Sequence, residues 1–293
     1  GITTDGHNFY VSDWKNRTIR KIVISTGVVT TLAGTAGSSG STDGTGTSAR
    51  FKNPNGITTD GTNLYVSDYS NHTIRKIVIS TGVVTTLAGL AGSYGSTDGT
   101  GTSARFNYPN GITTDGTYLY VADWNNDRIR KIVISTGEVT TLASSIDSGG
   151  ITTDGTYVYA TSGYQVYKIE ISNGNKTLVA GSGSSGSTDG TGTLASFTNL
   201  RGIIFDGYNL YVVDSYGNHT IRKISTSSTT ASHFLNYNIP TLKRFSPISG
   251  INNTSYTVTG LDNGTTYYYK ISSVNSSENS PLSGEVSATT TSN

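Results

Sequence analysis

The chain has 293 residues, no cysteine, and 20 basic against 19 acidic side chains, for a net charge of +1. This balance predicts no surface for nucleic acid, and no apolar run is long enough for membrane insertion. The missing cysteines exclude disulfides, thiolate metal sites and cysteine nucleophiles. Hydrophobic residues make up 33% of the chain and charged residues 13%, with abundant tyrosine, which is typical of a strand-rich folded protein rather than a disordered one.

Internal repeats organise the chain. The hexapeptide GITTDG begins at Gly1, Gly56, Gly111 and Gly150, and the related GIIFDG begins at Gly202. The first two steps are 55 residues long, and the next two are 39 and 52. Self-similarity at such a spacing indicates a repeat architecture, here with five visible units.

Each unit predicts four short antiparallel strands. In the second unit they cover residues 56–60, 63–68, 73–79 and 83–88, separated by Asp-Gly and Thr-Gly turns and one polar loop. Units of this kind repeated around an axis form a β-propeller. A linear β-solenoid is the competing geometry, although its coils are usually shorter. We therefore predict an all-β chain with a β-propeller over residues 1–235.

Two long segments resemble a known repeat family. Residues 53–77, "NPNGITTDGTNLYVSDYSNHTIRKI", and residues 108–132, "YPNGITTDGTYLYVADWNNDRIRKI", resemble NHL repeats, and the resemblance extends roughly over residues 1–235. It implies a propeller, most often with six blades, whereas five units are visible. Proteins with such propellers include metal-dependent lyases or hydrolases with a site in the channel, and intracellular scaffolds, so both remain alternative functions.

One face of the predicted propeller carries most of the loop length. In a meandering blade, the loops between the second and third strands lie on the same face as the long connections between blades. We call this the loop-rich face. Long glycine-rich loops on a rigid scaffold are common binding sites, so we expect interactions here.

The connections contain a recurring segment whose first copy, "STDGTGTSARF", fits the pattern G-x-G-x-x-A. A dinucleotide site requires a helix after this loop, but each copy leads to a predicted strand. Each copy also offers one carboxylate, fewer than calcium needs. We predict connectors closed by Asx turns. Their aspartates are candidate binding residues of the loop-rich face: Asp43, Asp98 and Asp189.

An acidic and a basic residue recur together. The second strands end in aspartate and the third strands carry arginine, at Asp13 and Arg20, Asp68 and Arg75, Asp123 and Arg130, and Asp214 and Arg222. In the fourth unit, Ser162 and Tyr167 replace both residues. Their joint loss predicts that the two side chains form a structural charge-assisted pair. A ring of acids that binds a cation is the alternative.

Histidines are sparse, and two of the four, His72 and His219, occupy equivalent loops and are candidate binding residues. No histidine and carboxylate spacing suits a zinc site, so we expect neither metal nor cofactor. Sequons are numerous and are candidates for N-glycosylation if the protein is exported. They lie at Asn16, Asn71, Asn175, Asn218, Asn252, Asn253, Asn263 and Asn275.

The pattern changes in the last part of the chain, residues 236–293. Its segment 254–290, which contains "YTVTGLDNGTTYYYKI", resembles the later strands of a fibronectin type III domain, while the first strands are not evident. Divergent residues, docking on the propeller, or a strand from a neighbouring subunit could each complete this partial module.

These features predict a non-enzymatic interaction or structural protein at the cell surface or outside the cell. The expected partners are proteins, including other copies of the chain in a filament, sheath or matrix, or glycans. The absence of a catalytic grouping and the pairing of two modules typical of exported proteins support this expectation.

Overall fold

The computed structural model describes residues 1–215 and 217–225, together with the backbone of two strands at 266–269 and 286–289. The chain divides into two compact units, Gly1–Pro240 and Thr241–Asn293. The first is a five-bladed β-propeller, which confirms the predicted all-β fold class. The six blades typical of the resembling family are not found among the described residues.

The first two blades show the plan of the repeat. Blade 1 comprises β1 (Ile2–Thr4), β2 (Asn8–Asp13), β3 (Thr18–Val23) and β4 (Val29–Ala33). Blade 2 comprises β5 (Gly44–Thr45), β6 (Pro54–Thr59), β7 (Asn63–Asp68), β8 (Thr73–Val78) and β9 (Val83–Ala88). Each sheet is an antiparallel meander, and the two-residue β5 pairs with the outer strand β9.

The remaining blades vary this plan. Blade 3 comprises β10 (Gly99–Thr100), β11 (Pro109–Thr114), β12 (Tyr118–Asp123), β13 (Arg128–Val133) and β14 (Glu138–Ser144). Blade 4 comprises β15 (Ser148–Thr153), β16 (Tyr157–Ser162), β17 (Gln165–Glu170) and β18 (Lys176–Ala180). Blade 5 has three strands within the described residues, β19 (Leu200–Phe205), β20 (Asn209–Asp214) and β21 (Thr220–Ser225). Short 3-10 helices lie at Gly46–Ser48, Tyr69–Asn71, Gly101–Ser103, Trp124–Asn126 and Gly192–Leu194.

The Asp-Gly turns between first and second strands are held by a side-chain network. In blade 2, the Asp60 carboxylate accepts the backbone N–H groups of Thr62 and Asn63 at 2.8 and 2.6 Å. Its other oxygen accepts the Tyr65 hydroxyl at 2.7 Å. Gly61 supplies the positive φ of 87° that the turn requires. The same network recurs in blades 1, 3 and 4 and sets the register of the first hairpin.

The core consists of apolar seams between consecutive blades. A phenylalanine from each long connection is buried in a seam, at Phe51, Phe106 and Phe197. The shorter connection before blade 4 instead buries Ile146. A seam of this kind needs apolar residues on both faces of a blade, which explains why the strands are not strictly alternating in polarity.

The outward faces of the first and last blades differ from the seams. Ile74 of blade 2 is fully buried, whereas Ile221, at the same position of blade 5, is 74% exposed. Ile57 of blade 2 is 6% exposed, whereas its counterpart Ile2 in blade 1 is 62% exposed. The described ends of the blade series therefore present apolar faces to solvent.

In the second unit, the structure describes two strands, β22 (Thr266–Tyr269) and β23 (Val286–Thr289), paired antiparallel with Tyr267 opposite Ala288. The other features of the predicted fibronectin type III-like module lie outside the described residues. So do the sequons at Asn252, Asn253, Asn263 and Asn275.

Candidate binding site on the loop-rich face

The connector aspartates are tied to the blades by arginine. In blade 2, Arg75 is fully buried and donates to the Asp43 carboxylate at 2.7 Å and to the Thr42 carbonyl at 3.2 Å. The same carboxylate accepts the N–H and hydroxyl of Thr86 at 3.1 and 3.0 Å. The Asx-turn prediction is therefore wrong for this carboxylate, which joins the connector to two strands of the next blade.

The other two connector aspartates make the same arginine contact. Asp98 accepts from Arg130 at 2.7 Å and Asp189 from Arg222 at 2.5 Å. Each arginine also lies 5.1 Å from the ring of the connector phenylalanine. A guanidinium plane stacked on an aromatic face in a desolvated seam is a favourable contact. The arginine therefore holds each connector at two places, its aspartate and its phenylalanine.

The structure brings each aspartate at a second-strand end close to the arginine of the third strand. The separations are 3.9 Å for Asp13 and Arg20, 3.4 Å for Asp68 and Arg75, 2.7 Å for Asp123 and Arg130, and 3.9 Å for Asp214 and Arg222. In blade 4, the Tyr167 hydroxyl instead donates to Gln165 at 2.6 Å.

These strand-end aspartates also fix the backbone. Asp68 accepts the N–H groups of Lys52 and Asn53, both at 3.0 Å, and the Asn71 amide at 2.7 Å. Burial raises the pKa of Asp68, against the effect of these bonds and of Arg75. Within the described residues, no group of three or more His, Asp or Glu side chains could hold a metal ion. The geometry therefore does not favour the alternative of an acidic ring for a cation.

The two candidate histidines lie in different environments. His72 is buried, accepts the N–H of Tyr108 at 3.1 Å through Nδ1, and packs against the Tyr108 and Tyr94 rings. Burial, and secondarily the nearby charge of Lys52, lowers the pKa of His72. His219 is exposed. His72 therefore supports an aromatic group rather than offering a free ring to a ligand.

The described sequon asparagines also differ. Asn16 and Asn175 are exposed. Asn71 is buried and donates to the Gly40 carbonyl and to Asp68, both at 2.7 Å, so its amide is occupied in the folded protein. Asn218 makes the equivalent bonds to Gly186 and Asp214.

The most distinctive surface on the loop-rich face is aromatic. Trp14, Tyr69 and Trp124 each follow the strand-end aspartate of blades 1, 2 and 3. The Tyr69 ring lies 6.1 Å from each tryptophan ring and 4.8 Å from the ring of Tyr108. Trp14 is 48% exposed and Trp124 36%. We call these four residues the aromatic arc.

Sequence reasoning missed the aromatic arc, although its signal was present. An aromatic residue directly follows the aspartate in the "SDW", "SDY" and "ADW" stretches of the first three units. Exposed neighbouring aromatics are unusual unless they form an interaction surface, because their apolar area favours burial. The aspartates that recur between the units are instead bonded to groups of the protein itself.

Comparisons with known proteins agree with the repeat assignment. No family model matches the chain. NHL repeat-containing protein 2 of Homo sapiens is 34% identical over 143 residues, which are 45% of this chain and 20% of that protein. Protein SUPPRESSOR OF QUENCHING 1, chloroplastic, of Arabidopsis thaliana is 34% identical over 139 residues, which are 44% of this chain and 13% of that protein. The chain thus matches only a small part of each relative.

Solved structures share the fold at low identity. A chain in the crystal structure of a nidogen/laminin complex is 18% identical, with a TM-score of 0.57, and the match covers 77% of this chain and 74% of that one. The fold is a five-bladed β-propeller, and its repeats are similar to those of NHL repeat-containing protein 2. Among the described residues, no helix has the length and apolar character to cross a bilayer.

Proposed function

We propose that this chain is a non-enzymatic binding scaffold, located at the cell surface or outside the cell, whose aromatic arc binds a protein or a glycan. The observation that carries this proposal is the arc itself: Trp14, Tyr69, Trp124 and Tyr108 form a continuous aromatic surface across three blades. Aromatic faces stack on sugar rings and anchor protein interfaces. Exposed Asn16 and Asn175 are the described positions where a glycan could be attached if the protein is exported.

Electrostatics support binding rather than catalysis. The carboxylates nearest to the loop-rich face are paired with arginine or capped by backbone N–H groups, as for Asp43 and Asp68. A general acid or base needs a proton that it can exchange with a substrate. These carboxylates are committed to holding the connectors in place, which suits a rigid surface for recognition.

Intrinsic fluorescence tests the proposal directly. The chain contains two tryptophans, Trp14 and Trp124, and both belong to the aromatic arc. Titration with neutral oligosaccharides should therefore change the tryptophan emission if a glycan binds there. A dilution series of the protein alone should change it if another copy binds there.

Substitution of the central ring supplies the control. Tyr69→Ala should weaken the response about tenfold or more, as expected for a central hot-spot residue, while both tryptophans remain as reporters. Tyr94→Ala is the matched control, because Tyr94 is exposed on the same face but outside the arc. Emission that stays constant with millimolar glycan and across the dilution series would contradict the proposal.

We also propose assembly with further copies through the apolar ends of the blade series. Ile2 and Ile221 are exposed at positions that are buried between neighbouring blades elsewhere. These two end faces are different surfaces, so a contact between them is head-to-tail and can propagate into a filament. Electron microscopy at high protein concentration should show ordered filaments or arrays. Dispersed monomers at that concentration, unchanged by Ile221→Ser, would argue against assembly.

A further inference from the structure

Tyr108 of the aromatic arc has a strained backbone. Its φ is 56°, in the left-handed region, which a bulky side chain adopts only when its surroundings hold it there. The equivalent residues of blades 2 and 5, Asn53 and Asn199, do not have a positive φ. Asparagine tolerates this region better than tyrosine does, so the contacts of Tyr108, and not its residue type, explain the difference.

The difference appears in the hydrogen bonds of the strand-end aspartates. In blades 2 and 5, one carboxylate oxygen accepts two successive N–H groups of the connector, the second from the asparagine just described. In blade 3, Asp123 accepts the first of these, from Asn107, at 2.7 Å. The second N–H, that of Tyr108, donates instead to Nδ1 of His72 at 3.1 Å. The N–H of Tyr108 is thus turned from its own blade toward the neighbouring one.

The loop that carries Trp124 differs in the same way. In blade 2, the residue directly after the strand-end aspartate, Tyr69, donates its N–H to the Asn53 carbonyl at 3.0 Å. In blade 3, this bond is displaced by one residue on each side and joins the N–H of Asn125 to the Asn107 carbonyl at 3.0 Å. The conformation of the Trp124 loop is therefore coupled to that of the connector.

The ring of His72 holds Tyr108 in two ways. Besides accepting its N–H, the ring packs edge-on against the Tyr108 ring, with 4.7 Å between the centroids. The Tyr108 ring in turn lies 4.8 Å from the ring of Tyr69 at the centre of the arc. A histidine whose Nδ1 accepts a hydrogen bond is neutral and carries its proton on Nε2. Protonation makes both ring nitrogens donors and removes the acceptor for Tyr108.

The groups around this histidine ring favour its neutral form. Lys52, in the connector before blade 2, acts on it with a positive charge, and Tyr94 and Tyr108 face it from the connector after that blade. Asp68, in the same hairpin as the histidine, is paired with Arg75. Burial of the ring, and then the charge of Lys52, lowers its pKa. The hydrogen bond to Tyr108 is therefore present at neutral pH and is lost in acid.

We propose that His72 is the positioning residue of the aromatic arc: its neutral ring holds Tyr108 against Tyr69, and its protonation releases Tyr108 and weakens binding to the arc. In the released state, the N–H of Tyr108 returns to Asp123, the arrangement that blades 2 and 5 adopt. The weakened binding rests on the proposed function, whereas the release of Tyr108 does not. The arc is thus a site that binds its ligand at neutral pH and lets it go in acid.

The backbone signal of Tyr108 tests the positioning without a ligand. The full chain is labelled with 15N-tyrosine and 15N-histidine, and two-dimensional NMR spectra are recorded between about pH 8 and pH 4. Tyr108→Phe assigns the signal, because position 108 then carries no label. The Tyr108 amide should shift with the same midpoint as the ring nitrogens of His72, below the usual imidazole range because burial lowers the pKa of that ring.

His72→Asn is the conservative variant. Asparagine offers an acceptor oxygen close to the position of Nδ1, tolerates the φ of 59° at this position and does not titrate. The Tyr108 amide of this variant should stay near its neutral-pH position over the whole range. His7→Asn, which changes an exposed histidine in a turn of blade 1, is the matched control and should keep the parent profile. A Tyr108 amide that ignores the titration of His72 in the parent chain, or that titrates equally in His72→Asn, would overturn the inference.

A ligand titration separates this positioning role from the proposed function. Cellohexaose, a neutral linear oligosaccharide, is titrated at the two ends of the same pH range, with tryptophan emission as the readout. The parent chain should bind about tenfold more weakly in acid, because the apparent affinity falls with the fraction of chains in the binding-competent arrangement. His72→Asn should lose most of this difference, and an equal pH dependence in both chains would contradict the regulatory role. Absence of binding at both pH values would count against a glycan as the ligand of the arc, while the Tyr108 amide would still decide whether His72 positions Tyr108.

Discussion

Arg130 offers the sharpest test of how the propeller is held together. Its guanidinium is fully buried and donates to Asp123 and Asp98, each at 2.7 Å, and to the carbonyls of Arg105 and Thr97 at 2.8 and 3.1 Å. Arg130→Met keeps an unbranched side chain but removes the charge. Asp123, itself fully buried, then lacks its cation.

The expected loss in the free energy of unfolding is about 3–5 kcal/mol, the usual cost of breaking a buried ion pair from one side. Blade 1 provides the matched control at the same repeat position. Arg20 and Asp13 are 33% and 29% exposed and lie 3.9 Å apart. Arg20→Met should therefore cost about 1 kcal/mol or less, because solvent screens the pair and hydrates the remaining carboxylate.

Urea unfolding followed by circular dichroism measures both variants against the parent chain. The midpoint should fall strongly for Arg130→Met and slightly for Arg20→Met, with similar slopes of free energy against denaturant. Equal losses in the two variants would refute the reasoning, because they would show that burial of the pair does not determine its contribution. A changed slope for either variant would show that cooperativity between blades had altered instead.

Three further predictions concern the turns. Tyr65→Phe removes the 2.7 Å hydrogen bond to Asp60 and should cost about 1–2 kcal/mol in thermal unfolding, whereas an unchanged melting temperature would contradict the network. Burial acts to raise the pKa of Asp60, but hydrogen bonds led by Asn63 lower it. Because the pKa of Asp60 is lower in the folded than in the unfolded chain, its ionised carboxylate stabilises the fold at neutral pH, and this contribution should be lost as the pH falls through the carboxylate range. Acid titration monitored by circular dichroism measures this loss, and Asp60→Asn should make the stability depend less on pH. Gly92→Ala should cost about 1–2 kcal/mol through its φ of 77°, while Gly89→Ala, whose new Cβ would also meet a backbone carbonyl, should cost clearly more; equal losses in urea unfolding would refute the role of the close approach.

The strand plan was readable from the sequence because it depends on local chemistry. The period of GITTDG, the β-branched runs and the Asp-Gly turns each act within a few residues, and the structure has strands at Asn63–Asp68 and Thr73–Val78 as expected. The bounds of the first strand shifted, from residues 56–60 to Pro54–Thr59, since its pairing begins at Pro54 opposite Asp68.

Contacts between segments that are distant in the sequence were harder to predict. The joint absence of Asp and Arg in the fourth unit pointed to neighbours seven residues apart, such as Asp68 and Arg75. The closer partner of Arg75 is Asp43, which is 32 residues away along the chain. No local pattern indicates this contact, because it arises when the connector folds back along the edge of the next blade.

The sequence by itself determined the repeat, the strands and the class of fold, since turn chemistry and β-branched runs are encoded within each unit. Only the tertiary structure decided which residues face solvent. It placed Trp14, Tyr69 and Trp124 on one surface and bound Asp43 to Arg75 and Thr86 of the next blade. The physical reason is that identical local segments acquire different roles from what packs against them, and that packing depends on their position in the series of blades.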